Sequence, residues 1–126
     1  MDTKKFPLEA HGAAVSRAEL VQAALDEITQ NYREASLSNV ARSYGVSLAY
    51  VSECVRAQTG RTYKELLQKH RMETAARLLR RSDLNIQQII TQVGYENTSY
   101  FYRLFHERYG QSPREYRNTR ASRTRA

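Results

Sequence analysis

Apolar residues recur every three or four positions along most of the chain, and no segment keeps the apolar–polar alternation of a β-strand. The first apolar stripe follows Ser16 and Glu19, which have the spacing of a capping box. Its members are Leu20, Ala24, Leu25, Ile28 and Tyr32. Similar helix starts occur near Thr62, Asn85 and Ser112, and glycines stand where several stripes end, at Gly45, Gly60, Gly94 and Gly110. The pattern predicts an all-α protein of seven helices.

The chain also contains an internal repeat. The segment LSNVARSYGVSLAYVSECVRAQTGRTYKEL aligns with IQQIITQVGYENTSYFYRLFHERYGQSPREY at a shift of 49 residues, which becomes 50 after one extra residue in the second turn. Each copy is a short helix, a turn that begins with glycine and a longer helix, which is the pattern of a helix-turn-helix motif. We therefore expect two helix-turn-helix subdomains, at about 37–60 and about 86–110, joined by a long linker helix at about 62–81.

The second copy extends into the pattern I..I...VGY.n.SYF.R.F....G.SP.EYR, which runs from Ile86 to Arg117. Together with the repeat, this pattern resembles the DNA-binding domain of AraC/XylS-type bacterial transcription regulators. The resemblance implies that the third and sixth helices are the recognition helices. It places the DNA-binding domain at 16–118. Residues 1–15 are expected to be a flexible arm or linker remnant, and residues 119–126, which include no acidic residue, are expected to be a frayed basic tail after a short seventh helix.

One side of the sixth helix is predicted to be core, because Phe101, Leu104, Phe105 and Tyr109 have the spacing of a buried helical face. The opposite side is polar. Arginine can donate two hydrogen bonds to O6 and N7 of guanine, and hydroxyl groups can bond to bases or phosphates. The residues predicted to contact DNA are Thr98, Ser99, Tyr102, Arg103 and His106, and plain solvation is the alternative interpretation of this face.

The third helix follows the same geometry, with Leu48, Val51, Cys54 and Val55 predicted to face inward. Cys54 is therefore expected to be a core residue rather than a nucleophile. The outward residues, and hence the predicted DNA contacts, are Ala49, Ser52, Glu53 and Arg56. Members of the family often have an arginine or another donor near the position of Glu53. A glutamate can accept from cytosine N4 but is repelled by phosphates, so this motif would bind DNA weakly, or Glu53 would orient Arg56.

Charge and composition restrict the function further. Twenty Lys and Arg against thirteen Asp and Glu give a net charge of +7, which favours a polyanionic partner. Anionic lipid is the competing partner. The single cysteine and three scattered histidines offer no metal site, and no apolar run is long enough to span a membrane. We expect no catalytic residue, cofactor or metal.

These observations predict sequence-specific binding of double-stranded DNA by a cytoplasmic bacterial transcription regulator. A linker helix of about 19 residues is about 28 Å long, against about 34 Å between successive major-groove segments, so both recognition helices could occupy adjacent major grooves. The resemblance implies activation through RNA polymerase and a separate effector-binding domain outside this chain. The alternatives are a helical protein-interaction module, without direct contact to DNA bases, and a DNA-binding appendage of an enzyme.

Overall fold

A computed structural model of the protein describes the backbone of residues 15–125 and the side chains of residues 15–119. Within residues 15–125 the chain forms seven α-helices and no strand, as predicted. The helices are α1 Arg17–Gln30, α2 Leu37–Tyr44, α3 Leu48–Thr59, α4 Tyr63–Arg81, α5 Ile86–Val93, α6 Thr98–Tyr109 and α7 Pro113–Arg125. The chain divides into two compact units, Met1–Leu67 and Gln68–Ala126, called here the first and second units.

Capping residues fix the helix starts. Each of the four predicted capping pairs forms two reciprocal hydrogen bonds between side chain and backbone, and they satisfy backbone N–H groups that have no partner inside the helix. Distances for these bonds lie between 2.8 and 3.1 Å; the pairs are Ser16 with Glu19, Thr62 with Glu65, Asn85 with Gln88, and Ser112 with Glu115. The predicted starts of α1, α4, α5 and α7 are therefore confirmed.

The first helix-turn-helix corner lies between α2 and α3. Gly45 ends α2 in the left-handed region, with φ 68°, and its N–H bonds back to carbonyl groups of the last helical turn. A residue with a Cβ would be strained at this φ, so glycine permits the sharp turn. Two residues later, the side chain of Ser47 accepts a hydrogen bond from the N–H of Tyr50 at 3.0 Å and starts α3.

The core of the first unit is mainly aliphatic. One buried cluster joins the three helices α1, α2 and α3, and a second cluster includes the first residue of α4. The first cluster consists of Leu20, Val21, Val40, Ala41, Val51 and Cys54; the second consists of Ala24, Ile28, Val55 and Tyr63. Cys54 is fully buried, which confirms its prediction as a core residue.

The second corner repeats the first with one additional residue. Gly94 ends α5 with φ 107°, and Tyr95 donates from its backbone N–H to the carbonyl of Ile90 at 3.1 Å. The side chain of Asn97 then accepts from the N–H of Tyr100 at 2.9 Å and starts α6. Asn97 caps this helix as Ser47 caps α3, since both side chains offer an oxygen acceptor at the N-cap.

Aromatic rings fill the second core. Phe101 and Phe105 are fully buried, with ring centroids 5.9 Å apart. Phe105 also lies 4.6 Å from the ring of Tyr109 and 5.4 Å from that of Tyr116, which begins the second turn of α7. The prediction that these rings belong to the core is confirmed for both phenylalanines. Leu104 and Tyr109 are only half-buried.

Three expectations from the sequence were wrong in detail. The seventh helix is not short, because α7 continues to Arg125 through most of the segment predicted as a tail. Tyr32 lies beyond the end of α1 at Gln30 rather than on its apolar stripe. Val15, predicted to be part of the arm, packs against the first core, and residues 1–14 lie outside the described part of the chain.

Candidate nucleic-acid interface

The outer face of α6 carries four of the five residues predicted for it. Ser99, Tyr102, Arg103 and His106 are exposed, on the side opposite Phe101 and Phe105. Side chains at positions i, i+3, i+4 and i+7 share one helical face, so these four form one polar surface. The structure thus brings these four predicted residues together.

Thr98 differs from the other four. It is half-buried at the first position of α6, and its hydroxyl donates a long hydrogen bond of 3.5 Å to the side-chain oxygen of Gln87 on α5. This bond ties the two helices of the second motif together across their turn. Thr98 therefore supports the corner, and its side chain is less available to a partner than that of Ser99.

Two neighbours on α6 position Arg103. Its guanidinium carbon lies 5.0 Å from the ring centroid of Tyr100, one turn earlier, which is within the range of a cation–π contact. One of its nitrogens lies 3.8 Å from the carboxylate of Glu107, one turn later. Both partners of this ion pair are 62% exposed, so the pair contributes little stability and the guanidinium stays free to exchange it for another acceptor.

Tyr100 is itself fixed by the linker helix. Its hydroxyl accepts a 2.7 Å hydrogen bond from the side-chain amide of Gln68, and its ring lies 5.9 Å from that of the buried Tyr95. A ring held at both its edge and its hydroxyl is a rigid support for the arginine above it. This support was not predicted, although Tyr100 precedes Arg103 by three residues and Glu107 follows it by four, and these spacings are typical of side chains in contact on a helix.

The outer face of α3 has a different character. Ala49, Ser52, Glu53 and Arg56 are all exposed, as predicted. The structure shows no ion pair between Glu53 and Arg56, whose side chains it describes, so the idea that Glu53 orients Arg56 finds no support. This face therefore presents one carboxylate and one guanidinium, preceded by the small side chains of Ala49 and Ser52.

Leu48 corrects the prediction for the inner face. It was expected to pack inward with Val51 and Cys54, which are fully buried, but its side chain is 48% exposed. In an α-helix the Cα–Cβ bond tilts toward the N-terminus, so a side chain at the first helical position projects beyond the start of the helix and its packed surface. Tyr50, in the same turn, is 40% exposed, with the guanidinium of Arg17 at 5.9 Å from its ring centroid.

The charged residues of α4 are largely engaged within the protein. Lys69 forms a 2.9 Å ion pair with Glu73, and the guanidinium of Arg71 lies 5.0 Å from the ring centroid of Tyr95. Arg80 donates to the hydroxyl of Tyr116 at 2.8 Å. These intramolecular contacts give several of the cations of α4 a structural role.

Net charge divides unequally along the chain. Residues 1–67 contain eight Lys and Arg and eight Asp and Glu, so their net charge is zero. Residues 68–126 contain twelve Lys and Arg and five Asp and Glu, so they carry the whole charge of +7. A polyanion would therefore be attracted mainly to the second unit.

Among the helices that the structure describes, none combines the length and the apolar character needed to cross a membrane. Nor do the described side chains gather three or more His, Cys, Asp or Glu residues in a way that could hold a metal ion.

Known proteins match both the sequence and the fold. A family model described as a helix-turn-helix domain matches residues 40–119. Transcriptional activator NphR from a Rhodococcus species is 35% identical over 96 residues, which make up 75% of this chain and 28% of NphR. The C-terminal domain of AraT, a response regulator from Geobacillus stearothermophilus, is 36% identical, with a TM-score of 0.74 over 80% of this chain and 85% of that one.

A third likeness concerns the fold alone. The DNA-binding domain of AdpA, solved in complex with a target DNA, has a TM-score of 0.71 at 24% identity and covers 87% of this chain and 96% of that one. The chain spans little more than a quarter of the length of NphR, so these matches describe a domain. NphR is a transcriptional activator, the matched domain of AraT belongs to a response regulator, and the domain shared with them is not an enzyme. The family match extends over more than half of the chain, and the chain belongs to the AraC-type family of helix-turn-helix DNA-binding domains.

Proposed function

We propose that this chain binds double-stranded DNA sequence-specifically as the DNA-binding part of a bacterial transcription regulator, with α3 and α6 as its recognition helices. The observation that carries the proposal is the two-sided structure of α6. Phe101 and Phe105 are fully buried, while Ser99, Arg103 and His106 are exposed together on the opposite side. Similarity to a transcriptional activator over 75% of the chain supports the same function.

Arg103 is the main base-contacting residue in this proposal. The ring of Tyr100 lies beneath the guanidinium of Arg103, and the carboxylate of Glu107 lies beside it. Both already restrict the orientation of this side chain, so Arg103 would lose less conformational entropy when it binds a base. A guanidinium can form two hydrogen bonds with O6 and N7 of guanine in the major groove, which makes guanine its preferred base. Ser99, one turn earlier, is small enough to allow a close approach of the helix.

Phosphate contacts would supply most of the affinity. The +7 charge of residues 68–126 attracts the DNA backbone, while the first unit, with no net charge, adds little to this attraction. The second unit would therefore supply most of the phosphate contacts together with the main base contact of Arg103, and the first unit would add further contacts with bases. That the two recognition helices lie in adjacent major grooves is part of the proposal.

The setting of the domain is also part of the proposal. A DNA-binding domain of a bacterial regulator works in the cytoplasm, at the nucleoid. Activation through RNA polymerase is supported by the likeness to NphR, a transcriptional activator. A separate effector-binding domain is supported by the greater length of the relatives, since NphR exceeds the matched part severalfold.

The alternative, a helical module that binds another protein, is tested by salt. A binding site is first selected from genomic fragments, and affinity for it is then measured between about 50 and 200 mM salt. If about six phosphates are neutralised, affinity should fall roughly a thousandfold over this range. A shuffled sequence of equal length is the control, because its weaker binding should show a similar slope. A nearly flat response would reject DNA binding and favour the protein-binding alternative.

A further inference from the structure

Leu48 is the most exposed large hydrophobic side chain in the described part of the chain. It is the first residue of α3, and its side chain is 48% exposed although Val51, one turn later, is fully buried. Leucine gains free energy when it leaves water, so an exposed leucine on a candidate contact surface offers affinity to a partner with an apolar group. Tyr50 in the same turn is 40% exposed, so the apolar character extends over the start of this helix.

The rest of the α3 face is less suited to DNA than that of α6. Its exposed residues include Glu53 and a single cation, Arg56, in the third turn. The first unit as a whole carries no net charge. In helix-turn-helix proteins the N-terminal residues of the recognition helix contact the base edges. In α3 these residues are Leu48, Ala49 and Ser52, two of which have only apolar side-chain atoms.

One group in the major groove matches this surface. The C5-methyl of thymine is the apolar group that unmodified bases present there, and apolar side chains recognise it by direct contact. We propose that Leu48 is a specificity-determining residue that packs against the C5-methyl group of a thymine in the half-site bound by the first unit. The inference rests on the proposed DNA-binding function and names the base that α3 selects.

Leu48 is well suited to a clean test, because it lies outside the buried clusters of the first unit. Replacing it should leave the fold intact, and a thermal melt of Leu48→Ala checks this. Leu48→Met is a second variant that keeps an apolar side chain of similar volume. Wild-type protein and both variants are then compared on the same selected DNA site.

The probe is deoxyuridine, which pairs like thymidine but lacks the methyl group. Each thymine of the selected site is replaced singly, and affinity is measured for each protein. At one position the wild type should lose about fourfold in affinity, the loss expected for about one methyl group removed from an apolar contact. Leu48→Ala should show almost no further loss at that position, because the contact is already gone, whereas Leu48→Met should keep most of the sensitivity.

The remaining thymines of the same site are the matched control, since their replacement should affect the three proteins equally. Equal losses for wild type and Leu48→Ala at every thymine would overturn the role of Leu48 while leaving DNA binding intact. Failure of the wild type to select any sequence would reject the DNA-binding function and this inference with it. The two failures are therefore distinguishable.

Discussion

The first helix-turn-helix turns at Gly45 and begins its second helix after Ser47, whereas the second motif turns at Gly94 and begins its second helix after Asn97. Both pairs perform the same two tasks, a left-handed helix end and an oxygen acceptor at the N-cap. The longer helix then ends in each motif at another left-handed glycine, Gly60 or Gly110. The two backbones are thus specified by equivalent residues.

The side chains around these backbones differ in core and surface. The first unit packs mainly aliphatic residues and has no net charge, while the second packs Phe101, Phe105 and Tyr116 and carries +7. Since turns and caps are local, they can be kept while the core and the outer faces change. The core and the charge of one motif can therefore differ from those of the other without a change of fold.

The largest expected effect concerns the aromatic core. Phe105→Ala removes a ring that contacts Phe101, Tyr109 and Tyr116, and we expect it to destabilise the protein by about 3–5 kcal/mol. Urea unfolding of the full chain measures this loss, and amide hydrogen exchange shows which unit opens. Tyr102→Ala, on the exposed side of the same helix, is the control and should change stability little. A stable Phe105→Ala protein that no longer binds DNA would mean that the rings contact bases.

A second effect should come from Arg117, which has no equivalent contact in the first unit's described structure. Its guanidinium donates to the carbonyl oxygens of Leu79, at 3.0 Å, and Ser82, at 3.1 Å, at the C-terminal end of α4. These carbonyls have no partner within the helix, and hydrogen bonds to a charged group contribute about 1.5–3 kcal/mol. Arg117→Met should lose about this much in urea unfolding.

Arg114→Met is the matched control for this prediction, because it removes the same charge from an exposed position of α7. Equal stability of the two variants would show that Arg117 acts only through the net charge. Arg117→Lys should recover part of the loss, since an ammonium group cannot reach separate carbonyls as a guanidinium does.

Most of the fold could be predicted from the sequence, because the features that determine it are local. Capping pairs such as Thr62 with Glu65 and turn glycines such as Gly45 act within a few residues and are visible in a single chain. The aromatic core followed from helical periodicity. The exposure of Leu48 could not be predicted in this way, because periodicity assigns a face but does not show where the neighbouring helices end.

The candidate site was predictable only in part, for the same reason. Exposed positions of α6 followed from the helical wheel, but the support of Arg103 depends on a bond from Gln68 to Tyr100, residues 32 positions apart. The end of α7 was also missed, since its basic sequence suggested fraying. Contacts distant in sequence decide such details, and one sequence without its relatives gives no sign of them.

The two proposed recognition helices, α3 and α6, should contribute unequally to DNA binding. Arg103→Ala should weaken specific binding by about 1–3 kcal/mol and relax the preference at one G·C pair, because a two-bond contact to guanine is lost. Binding-site selection with the variant measures both effects. Arg108→Ala, an exposed arginine near the end of the same helix, is the control and should lower affinity for all sequences without changing the selected motif.

Glu53→Gln tests the contribution of α3. Removing this carboxylate should leave non-specific affinity for DNA equal or higher, since one repulsion with phosphate disappears. Discrimination between bases in the half-site bound by the first unit should fall. If Arg103→Ala left the selected motif unchanged and Glu53→Gln abolished binding, the assignment of α6 as the dominant recognition helix would have to be reversed.

The smallest expected effect is a pH dependence of stability that arises in the second unit. Burial lowers the pKa of His70 on α4 below its usual 6.5, and the neighbouring Arg77 and Lys69 lower it further while Glu73 acts in the opposite direction. The unfolded chain therefore takes up this proton at a higher pH than the folded protein does. The contribution of His70 to stability should be complete above about pH 6.5 and decrease as the pH falls from there toward the lower folded pKa.

His70→Gln should remove this part of the pH dependence, so that the stability difference between wild type and variant changes between about pH 7.5 and 5.5 in urea unfolding. Subtracting the two curves cancels the carboxylates that both proteins share. Hydrogen exchange assigns the effect, because residues 15–67 contain no histidine and their amides should respond equally in both proteins. A stability difference that stays constant over this range would show that His70 is protonated alike in the folded and unfolded chains. The half-buried position of His70 on α4 would then give the second unit no pH dependence that the first unit lacks.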